Sequence, residues 1–354
     1  MEKNQNIIVG ISIGDLNGIG PEVVLKTFED HRILELCTPV IFASAKTLSH
    51  LKKELQLSLN FYGIDHTDKI LPGKINVFNV WKEHVEINPG KEDKKIGKYA
   101  YLSLKTAVKA LKNNNIDVLV TAPINKHTIH SEEFPFQGHT EYLAQELGGE
   151  SLMFMVSDHL KVGLLTGHVP VKDVNKHITE ALIEKKISLM MQSLRRDFGI
   201  TKPKIAVLGI NPHSGDKGVI GTEDDVILRP TIQKLNDAGL LVYGPYAADS
   251  FFGSRHYIHF DAVLAAYHDQ GLVPFKTLSF GNGVNFTAGL NFVRTSPDHG
   301  TGFEIAGKNK ADYSSFSEAI YRAITIYRTR QEYDLLLQNQ LTSQKNRSIK
   351  TSEN

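Results

Sequence analysis

Three histidines in the sequence each follow a short apolar run of the kind that forms a buried strand. His168 comes after VGLLT, His213 after KIAVLGI and His268 after DAVLAAY. Ligands of open parallel sheets bind outside the carboxyl ends of the strands, so residues far apart in sequence can meet there. A single histidine in this position is more often a capping or hydrogen-bonding residue, but three of them predict a metal site. Imidazole ligands favour zinc, cobalt, iron or nickel over magnesium and calcium, and three protein ligands leave room for a substrate.

Basic and polar side chains downstream of the third histidine form a candidate anion clamp. Lys276, Asn285 and Arg294 are spread through a glycine-rich stretch. Each charge taken alone is usually a solvated surface residue, but together they predict a clamp for carboxylate or phosphate groups. Two loop-to-helix junctions, GDLNGIGPE (14–22) and QGHTEYLA (137–144), are also suited to an anion, although simple helix capping by Thr140 explains the second equally well.

Two other short patterns argue against common enzyme classes. GISIG (10–14) matches the nucleophile string of α/β-hydrolases, but Ser12 lies inside an apolar run and the first helix start comes only at Pro21. The sequence has neither a GxGxxG fingerprint nor a Walker A string. A standard dinucleotide-binding fold and a P-loop are therefore not expected.

The elements that position these residues alternate between strand-like and helix-like segments. Near-continuous apolar runs suit strands that are buried on both faces, and their alternation with helices predicts an α/β fold with a mostly parallel sheet. The charged segment 85–98 is expected to be a solvated loop. The predicted strands are 7–13, 39–44, 117–122, 162–166, 204–210 and 261–267. The predicted helices are 21–30, 101–114, 140–148, 173–199 and 314–339.

The composition of the whole chain favours small-molecule chemistry. Its 354 residues include 40 basic and 39 acidic side chains, a net charge of +1 that would not attract nucleic acid or anionic lipid. The single cysteine, Cys37, excludes a disulfide framework within the chain and a cysteine-based zinc cluster. No signal peptide and no membrane-spanning stretch is recognised, so we expect a cytoplasmic protein.

Several longer strings resemble one enzyme family in order and without large gaps, from about residue 7 to about residue 330. These strings are GDLNGIGPE (14–22), TAPINK (121–126), GHTEYLA (138–144), GINPHSGD (209–216), YHDQGLVPFK (267–276) and GVNFTAGLNFVRTSPDHGT (283–301). They are similar to those of the 4-hydroxythreonine-4-phosphate dehydrogenase family of vitamin B6 biosynthesis. Leu16 and Asn17 stand where this family usually has Pro-Ala, which leaves the site residues untouched but affects the loop beside the cleft.

The resemblance implies an isocitrate/isopropylmalate-dehydrogenase-like α/β fold, with two α/β/α lobes and a cleft between them. We expect residues 1–130 plus 280–340 to form the first lobe, 131–279 to form the second, and 341–354 to be a disordered tail. The resemblance also implies a homodimer, with the second lobe contributing to its interface and each active site lying between subunits.

The activity implied is the NAD-dependent oxidation of 4-phosphooxy-L-threonine, a small phosphorylated substrate. The product, 2-amino-3-oxo-4-phosphooxybutanoate, loses carbon dioxide to give 3-amino-2-oxopropyl phosphate. NADP is an alternative cofactor. One divalent metal per active site, zinc, cobalt or magnesium, is implied to bind His168, His213 and His268, with one of these ligands supplied across the dimer interface.

Two carboxylates are assigned from their placement in the sequence, and the other roles follow from the resemblance position by position. Asp249 and Asp269 are the candidate catalytic carboxylates, which would orient a histidine or relay protons. The implied substrate-binding residues are His139, Thr140, Lys276, Asn285 and Arg294. The implied cofactor-binding residues are His299, Gly300 and Thr301, in a loop that binds NAD without a GxGxxG fingerprint.

Two alternative functions remain open at the level of sequence. A related dehydrogenase would act on a 4-phosphorylated threonate or erythronate, because such relatives share the histidines and the anion clamp. A metal-dependent hydrolase, or a metal-binding protein without catalysis, would keep the metal site but have no use for NAD.

Overall fold

The computed structural model describes residues 6–136 and 138–338, which form an α/β protein with a single twelve-stranded sheet. The predicted tail, 341–354, lies outside the described residues. The strands are β1 (Ile7–Ser12), β2 (Cys37–Ala43), β3 (Tyr62–Ile64), β4 (Asn76–Asn79), β5 (Val118–Thr121), β6 (Gly149–Val156), β7 (Lys161–Leu164), β8 (Lys204–Leu208), β9 (Leu241–Tyr246), β10 (Ala262–Ala265), β11 (Val284–Leu290) and β12 (Val293–Pro297). The α-helices are α1 (Gly20–Thr27), α2 (Ala45–Glu54), α3 (Lys94–Lys112), α4 (Lys126–Ile129), α5 (His139–Leu147), α6 (Val174–His177), α7 (Glu180–Arg196), α8 (Arg229–Asp237), α9 (Ala248–Gly253), α10 (His268–Leu278) and α11 (Ser314–Gln338).

The six strands predicted from apolar runs are all present, as β1, β2, β5, β7, β8 and β10. β2, β5 and β10 are buried along their whole length, as expected for strands covered by helices on both faces. The remaining strands were not predicted, because their apolar runs are less continuous. β11 and β12 contain polar residues that face the site, β9 contains Gly244 and Pro245, and β3 and β4 are short.

The two halves of the sheet run in opposite directions. The order is β3-β4-β2-β1-β5-β12-β11-β6-β7-β10-β8-β9. Pairing is parallel from β3 to β12 and again from β7 to β9, but the three steps from β12 through β11 and β6 to β7 are antiparallel. The carboxyl ends of β5 and β12 therefore lie at one edge, and those of β7 and β10 lie at the opposite edge.

The five predicted helices are present, two of them with different bounds, and further helices such as α2, α8 and α10 were not predicted. The predicted helix 101–114 begins earlier, at Lys94, because the Asp93 carboxylate caps it by accepting a hydrogen bond from the Lys95 N–H at 2.8 Å. The predicted loop 85–98 therefore ends at Asp93. The predicted helix 173–199 is divided into α6 and α7 at Ile178, and Thr179 caps the second part. Among the described residues, no helix is long and apolar enough to cross a membrane.

The predicted division into lobes at 279/280 falls within a continuous sheet. β11 belongs to the segment assigned to the first lobe, but it pairs with β6 of the second along most of its length. β12 joins β11 to β5 and thus connects the two halves. The lobe boundaries themselves stay a prediction.

A buried ion pair attaches the long helix α11 to α7. Arg330 and Asp197 are 5% and 3% exposed, and Arg330 Nε donates to Asp197 Oδ1 at 2.5 Å. Ser193 Oγ donates to the other carboxylate oxygen at 2.7 Å. The charges are therefore compensated inside the protein.

Replacing Asp197 with alanine should destabilise the protein strongly, because it leaves the Arg330 guanidinium buried without an anion. We expect a loss of about 3–5 kcal/mol in the free energy of unfolding, measured by urea denaturation. Asp158→Ala is the matched control, since the Arg322–Asp158 pair has a 78% exposed carboxylate and should contribute less than about 1 kcal/mol. Equal effects of the two substitutions would contradict this assignment.

Candidate active site

A cavity of about 260 Å³ lies on one face of the central strands β12, β11 and β6. Alternate residues of these strands point into it because side chains along a strand alternate between its two faces. They are Arg294 and Ser296 of β12, Asn285 of β11, and Met153 and Met155 of β6. The cavity floor is therefore the region where the antiparallel strands join the two halves of the sheet.

The opposed carboxyl ends of the strands contribute to this cavity from both halves. Lys126 follows β5, and His299 follows β12. His168 follows β7, and His268 follows β10. The sequence predicted a single crevice at one edge of a parallel sheet. The cavity instead is lined by residues that follow strands of both directions.

Two of the predicted metal ligands lie together in the cavity. The ring centroids of His168 and His268 are 5.7 Å apart. Asp269 Oδ1 lies 2.7 Å from Nδ1 of His268, which leaves Nε2 of that ring free for another partner. Carboxylates commonly fix the ring of a metal-binding histidine in this way. Burial, and then the charge of Lys126, lowers the pKa of His168, which favours the neutral form that binds metals.

Gln270 connects the ends of two histidine-bearing strands. Its Oε1 accepts a hydrogen bond from the Ala266 N–H, just after β10, at 2.7 Å. Its Nε2 donates to the Gly209 carbonyl, just after β8, also at 2.7 Å. One amide thereby satisfies a donor and an acceptor and fixes the spacing between the segments that lead to His268 and His213.

His213 lies outside the cavity lining. It is exposed and is the first of six consecutive residues with positive φ angles, between 42° and 89°. The fully buried Asp224 stabilises the preceding turn by accepting hydrogen bonds from the N–H groups of Ile210 and Asn211, at 2.8 and 3.0 Å. Such conformations persist only where the surroundings enforce them, and they are concentrated at functional sites.

The imidazole pair by itself provides two ligands. Within residues 6–136 and 138–338, no group of three or more His, Cys, Asp or Glu side chains could hold a metal ion. The donors present, two imidazoles with one ring fixed by a carboxylate, fit two positions of a divalent metal. The further ligand predicted, His213, is separated from the pair in a single chain.

The two candidate catalytic carboxylates have different surroundings. Asp269 is exposed and contacts His268, as described above. Asp249 lies in the first turn of α9, is exposed, and is not part of the cavity lining. A single chain therefore brings one of the two carboxylates to the imidazole pair.

Arg294 is a buried cation at the cavity floor. It is 2% exposed, and within the described part of the chain its guanidinium donates only to hydroxyl groups, those of Thr287 at 2.9 Å and Thr121 at 2.5 Å. Its Nε atom has no hydrogen-bond partner, and burial lowers the pKa of Arg294 to about 9. A charge buried without a carboxylate partner is costly, so this arrangement favours binding of an anion from solution.

The other predicted substrate-binding residues surround the same space. His139 Nε2 and Asn285 Oδ1 are buried atoms without a hydrogen-bond partner. Burial, and then the charges of Arg294 and Lys126, lowers the pKa of His139 well below its usual value. Thr140 lines the cavity from the first turn of α5. Lys276 lines it from α10 and donates to the Asp298 carbonyl at 2.9 Å.

The predicted cofactor loop is only partly in the cavity. His299 and Gly300 line it, and His299 Nε2 is buried without a partner. Thr301 lies outside the lining, and its carbonyl accepts a hydrogen bond from the Ile19 N–H at 2.8 Å. A Cβ atom on Gly18 would lie 2.8 Å from the same carbonyl oxygen, so the GDLNGIGPE loop needs glycine there to pack against the cofactor loop.

Sequence reasoning missed three charged residues of the cavity lining: Lys126, Glu141 and Asp298. All three lie within or beside strings that were recognised. Lys126 ends TAPINK, which follows the strand β5 as the histidines follow theirs. That position at a strand end was the available signal for Lys126. Glu141 and Asp298 had no comparable signal, because carboxylates near helix starts and turns are common.

The fold and the cavity together are those of an α/β enzyme in which a buried arginine lies in the same cavity as a pair of metal-competent imidazoles. Residues 35–323 match the family described as pyridoxal phosphate biosynthetic protein PdxA. A 4-hydroxythreonine-4-phosphate dehydrogenase from Bacteroides thetaiotaomicron is 46% identical over 97% of this chain and 95% of the relative. The enzyme of that name from Sulfurihydrogenibium sp. is 41% identical over 91% of this chain and 99% of the relative.

A solved structure gives the same result at the level of fold. The crystal structure of 4-hydroxythreonine-4-phosphate dehydrogenase from Klebsiella pneumoniae superposes with a TM-score of 0.78 at 32% identity, over 92% of this chain and 99% of that one. The chain therefore belongs to the PdxA family of oxidoreductases. The predicted family is confirmed, and so is the predicted α/β fold class.

Proposed function

We propose that the protein oxidises 4-phosphooxy-L-threonine with NAD in a metal-dependent reaction of vitamin B6 biosynthesis. The secondary alcohol becomes a ketone, a hydride goes to NAD and a proton is released. The resulting 2-amino-3-oxo-4-phosphooxybutanoate loses carbon dioxide and becomes 3-amino-2-oxopropyl phosphate. The observation that supports this most directly is that Arg294, buried and without a carboxylate partner among the described residues, lines the same cavity as the His168–His268 pair. The names of the relatives favour the same substrate.

The anion-binding side of the cavity would hold the charged ends of the substrate. Arg294, already fixed by two threonine hydroxyls, needs no rearrangement to accept an anion. Lys276, Asn285, His139 and Thr140 line the same space and supply further hydrogen-bonding groups. Because these groups are oriented before the substrate binds, they hold it in one position. This favours hydride transfer from one carbon atom of the substrate.

The imidazole side would hold one divalent metal per site. His168 and His268 are two of its ligands in this proposal, and His213 of a second subunit is the third, which makes the protein a homodimer with shared active sites. Imidazole donors favour zinc or cobalt over magnesium. A divalent metal supplies polarisation of the substrate oxygen and, later, of the ketone. Asp269 keeps the His268 ring oriented, and Asp269 or Asp249 of a partner would accept the proton of the hydroxyl group.

The cofactor would lie along the loop that contains His299, Gly300 and Thr301. Two orphaned atoms near this loop fit a dinucleotide. His299 Nε2 lies in the main cavity, and Glu22 Oε2 is buried without a partner in a second cavity of about 370 Å³ that Gly307 of the same loop also lines. A carboxylate oxygen of this kind accepts hydrogen bonds from ribose hydroxyls or an adenine amino group. NAD supplies the hydride acceptor, and NADP is the alternative. The buried single cysteine, Cys37, suits a cytoplasmic enzyme.

The decisive test compares substrates. Purified protein with Zn²⁺ or Co²⁺ and NAD should produce NADH from 4-phosphooxy-L-threonine with a kcat/KM at least about 100-fold above that for 4-phosphorylated threonate or erythronate. NADH absorbance gives the rate, and phosphate release measured in parallel detects hydrolysis. Preference for the hydroxy-acid phosphates would favour the related sugar-acid dehydrogenase. Phosphate release without NADH formation would favour a hydrolase.

A further inference from the structure

Lys126 is a cation that lines the cavity, and it has none of the metal-binding, substrate-binding or cofactor-binding roles proposed above. Its side chain is exposed at the cavity and passes beside Gly138, whose Cβ, if present, would lie 3.8 Å from Lys126 Cε. Among residues 6–136 and 138–338, its ammonium group makes no hydrogen bond and no ion pair, although Glu141 lines the same cavity. The ammonium group is therefore free to bind a ligand.

The segment that carries Lys126 is held firmly in place. Asn125 caps α4 by accepting hydrogen bonds from the N–H groups of His127 and Thr128, both at 2.9 Å. The Thr128 hydroxyl donates at 3.0 Å to the carboxylate of Asp15, a 1% exposed residue in the loop after β1. These buried polar contacts fix the backbone at Lys126, so its side chain always starts from the same point beside the cavity.

Lys126 and the first turn of α5 form one wall of the cavity. Gly138 precedes α5, and His139 and Thr140 are its first two residues. The first N–H groups of a helix have no partner within the helix and attract anions, phosphate in particular. Burial lowers the pKa of His139, and the charges of Arg294 and then of Lys126 lower it further. Arg294 lines the same cavity from its floor.

The balance of charge in the cavity lining also favours an anion. Among the described residues that line the cavity, Lys126, Lys276 and Arg294 are permanent cations, and Glu141 and Asp298 are the carboxylates. A phosphate monoester carries a charge close to −2 at neutral pH. Without Lys126, the cations Lys276 and Arg294 only balance the carboxylates Glu141 and Asp298, so Lys126 supplies the excess positive charge that favours a phosphate group.

We propose that Lys126 is a substrate-binding residue that contacts the phosphate group, together with Arg294 and the first turn of α5. This inference rests on the proposed function for the identity of the phosphate ester, but binding of phosphate does not require turnover. The two ideas can therefore fail separately.

The test measures ligand binding by calorimetry in the absence of NAD. Lys126→Met should weaken binding of inorganic phosphate and of 4-phosphooxy-L-threonine by a similar factor, about 10- to 100-fold, the loss of one charge-assisted hydrogen bond. Binding of 4-hydroxy-L-threonine, which lacks the phosphate, should change by less than about threefold. Lys126→Arg should recover most of the affinity. Lys109→Met, at an exposed position of α3, is the control for loss of a surface charge.

Unchanged phosphate binding in Lys126→Met would overturn the inference and would leave the proposed function standing if the wild-type protein oxidises the substrate. Equal losses for the phosphorylated and the phosphate-free compound would also overturn it, because Lys126 would then contact another part of the substrate. Lys126-dependent phosphate binding in a protein without dehydrogenase activity would support the inference and would contradict the proposed function.

Discussion

Replacing His268 with alanine is expected to lower kcat by about 1,000-fold, the equivalent of about 4 kcal/mol in the transition state. His268 provides the ring nitrogen that remains free after Asp269 has fixed the other. Its loss leaves His168 as the one remaining imidazole of the pair in each chain and should weaken metal binding in parallel. Turnover with saturating substrate and NAD, and Zn²⁺ affinity by competition with a chelator, measure the two effects.

Two further variants make this result interpretable. His50→Ala removes an exposed histidine from α2 and should leave both turnover and Zn²⁺ affinity unchanged. Asp269→Asn keeps the shape of the residue that fixes the ring and should cost an intermediate factor, about 10- to 100-fold. A His268→Ala variant that keeps full activity and full Zn²⁺ affinity would contradict the proposed metal site.

Replacing Arg294 with methionine is expected to raise KM for the phosphorylated substrate by about 100-fold, because charge-assisted hydrogen bonds in a water-poor cavity are lost. The same change should leave the ligand-free protein as stable as before or more stable, because a buried cation without an anion is replaced by an apolar side chain of similar length. Steady-state kinetics and thermal unfolding, each with and without inorganic phosphate, measure these effects.

The opposite signs of the two effects separate a binding role from a structural one. If Arg294 mainly supported the fold through Thr121 and Thr287, the variant would lose stability without ligand, and KM would change little. Arg328→Met, at an exposed position of α11, is the control and should alter neither quantity. Phosphate should raise the unfolding temperature of the wild type and of this control, but not of Arg294→Met.

The sequence predicted the strands that are apolar along their whole length and the histidines that follow them, because burial on both faces leaves a clear pattern. It did not predict that β7 and β10 run opposite to β5 and β12. Strand direction depends on which strands become neighbours, and the apolar runs contain no information about pairing. β8 is parallel to β10 and β7, so it is the irregular loop after β8, and not the strand direction, that leaves His213 outside the cavity lining.

The site residues show a similar division. Arg294 was recognised through a family motif, but its complete burial and its lack of an acidic partner depend on threonines from β5 and β11. Gln270 had no explanation in sequence terms, because its two partners are backbone groups at the ends of different strands. Contacts between a side chain and a distant backbone leave no periodic signal. The roles of Arg294 and Gln270 can therefore be recognised only in the folded sheet.

The position of β12 between β5 and β11 has a consequence for the order in which the protein is made. A chain that emerges from the ribosome has completed β5 at Thr121, but the neighbour of that strand, which brings Arg294, is synthesised more than 170 residues later. Until then an apolar strand edge stays without its partner, and such edges promote aggregation. The cavity floor is thus among the last parts to form. A chain truncated before β12 would lack both the continuous twelve-stranded sheet and this floor.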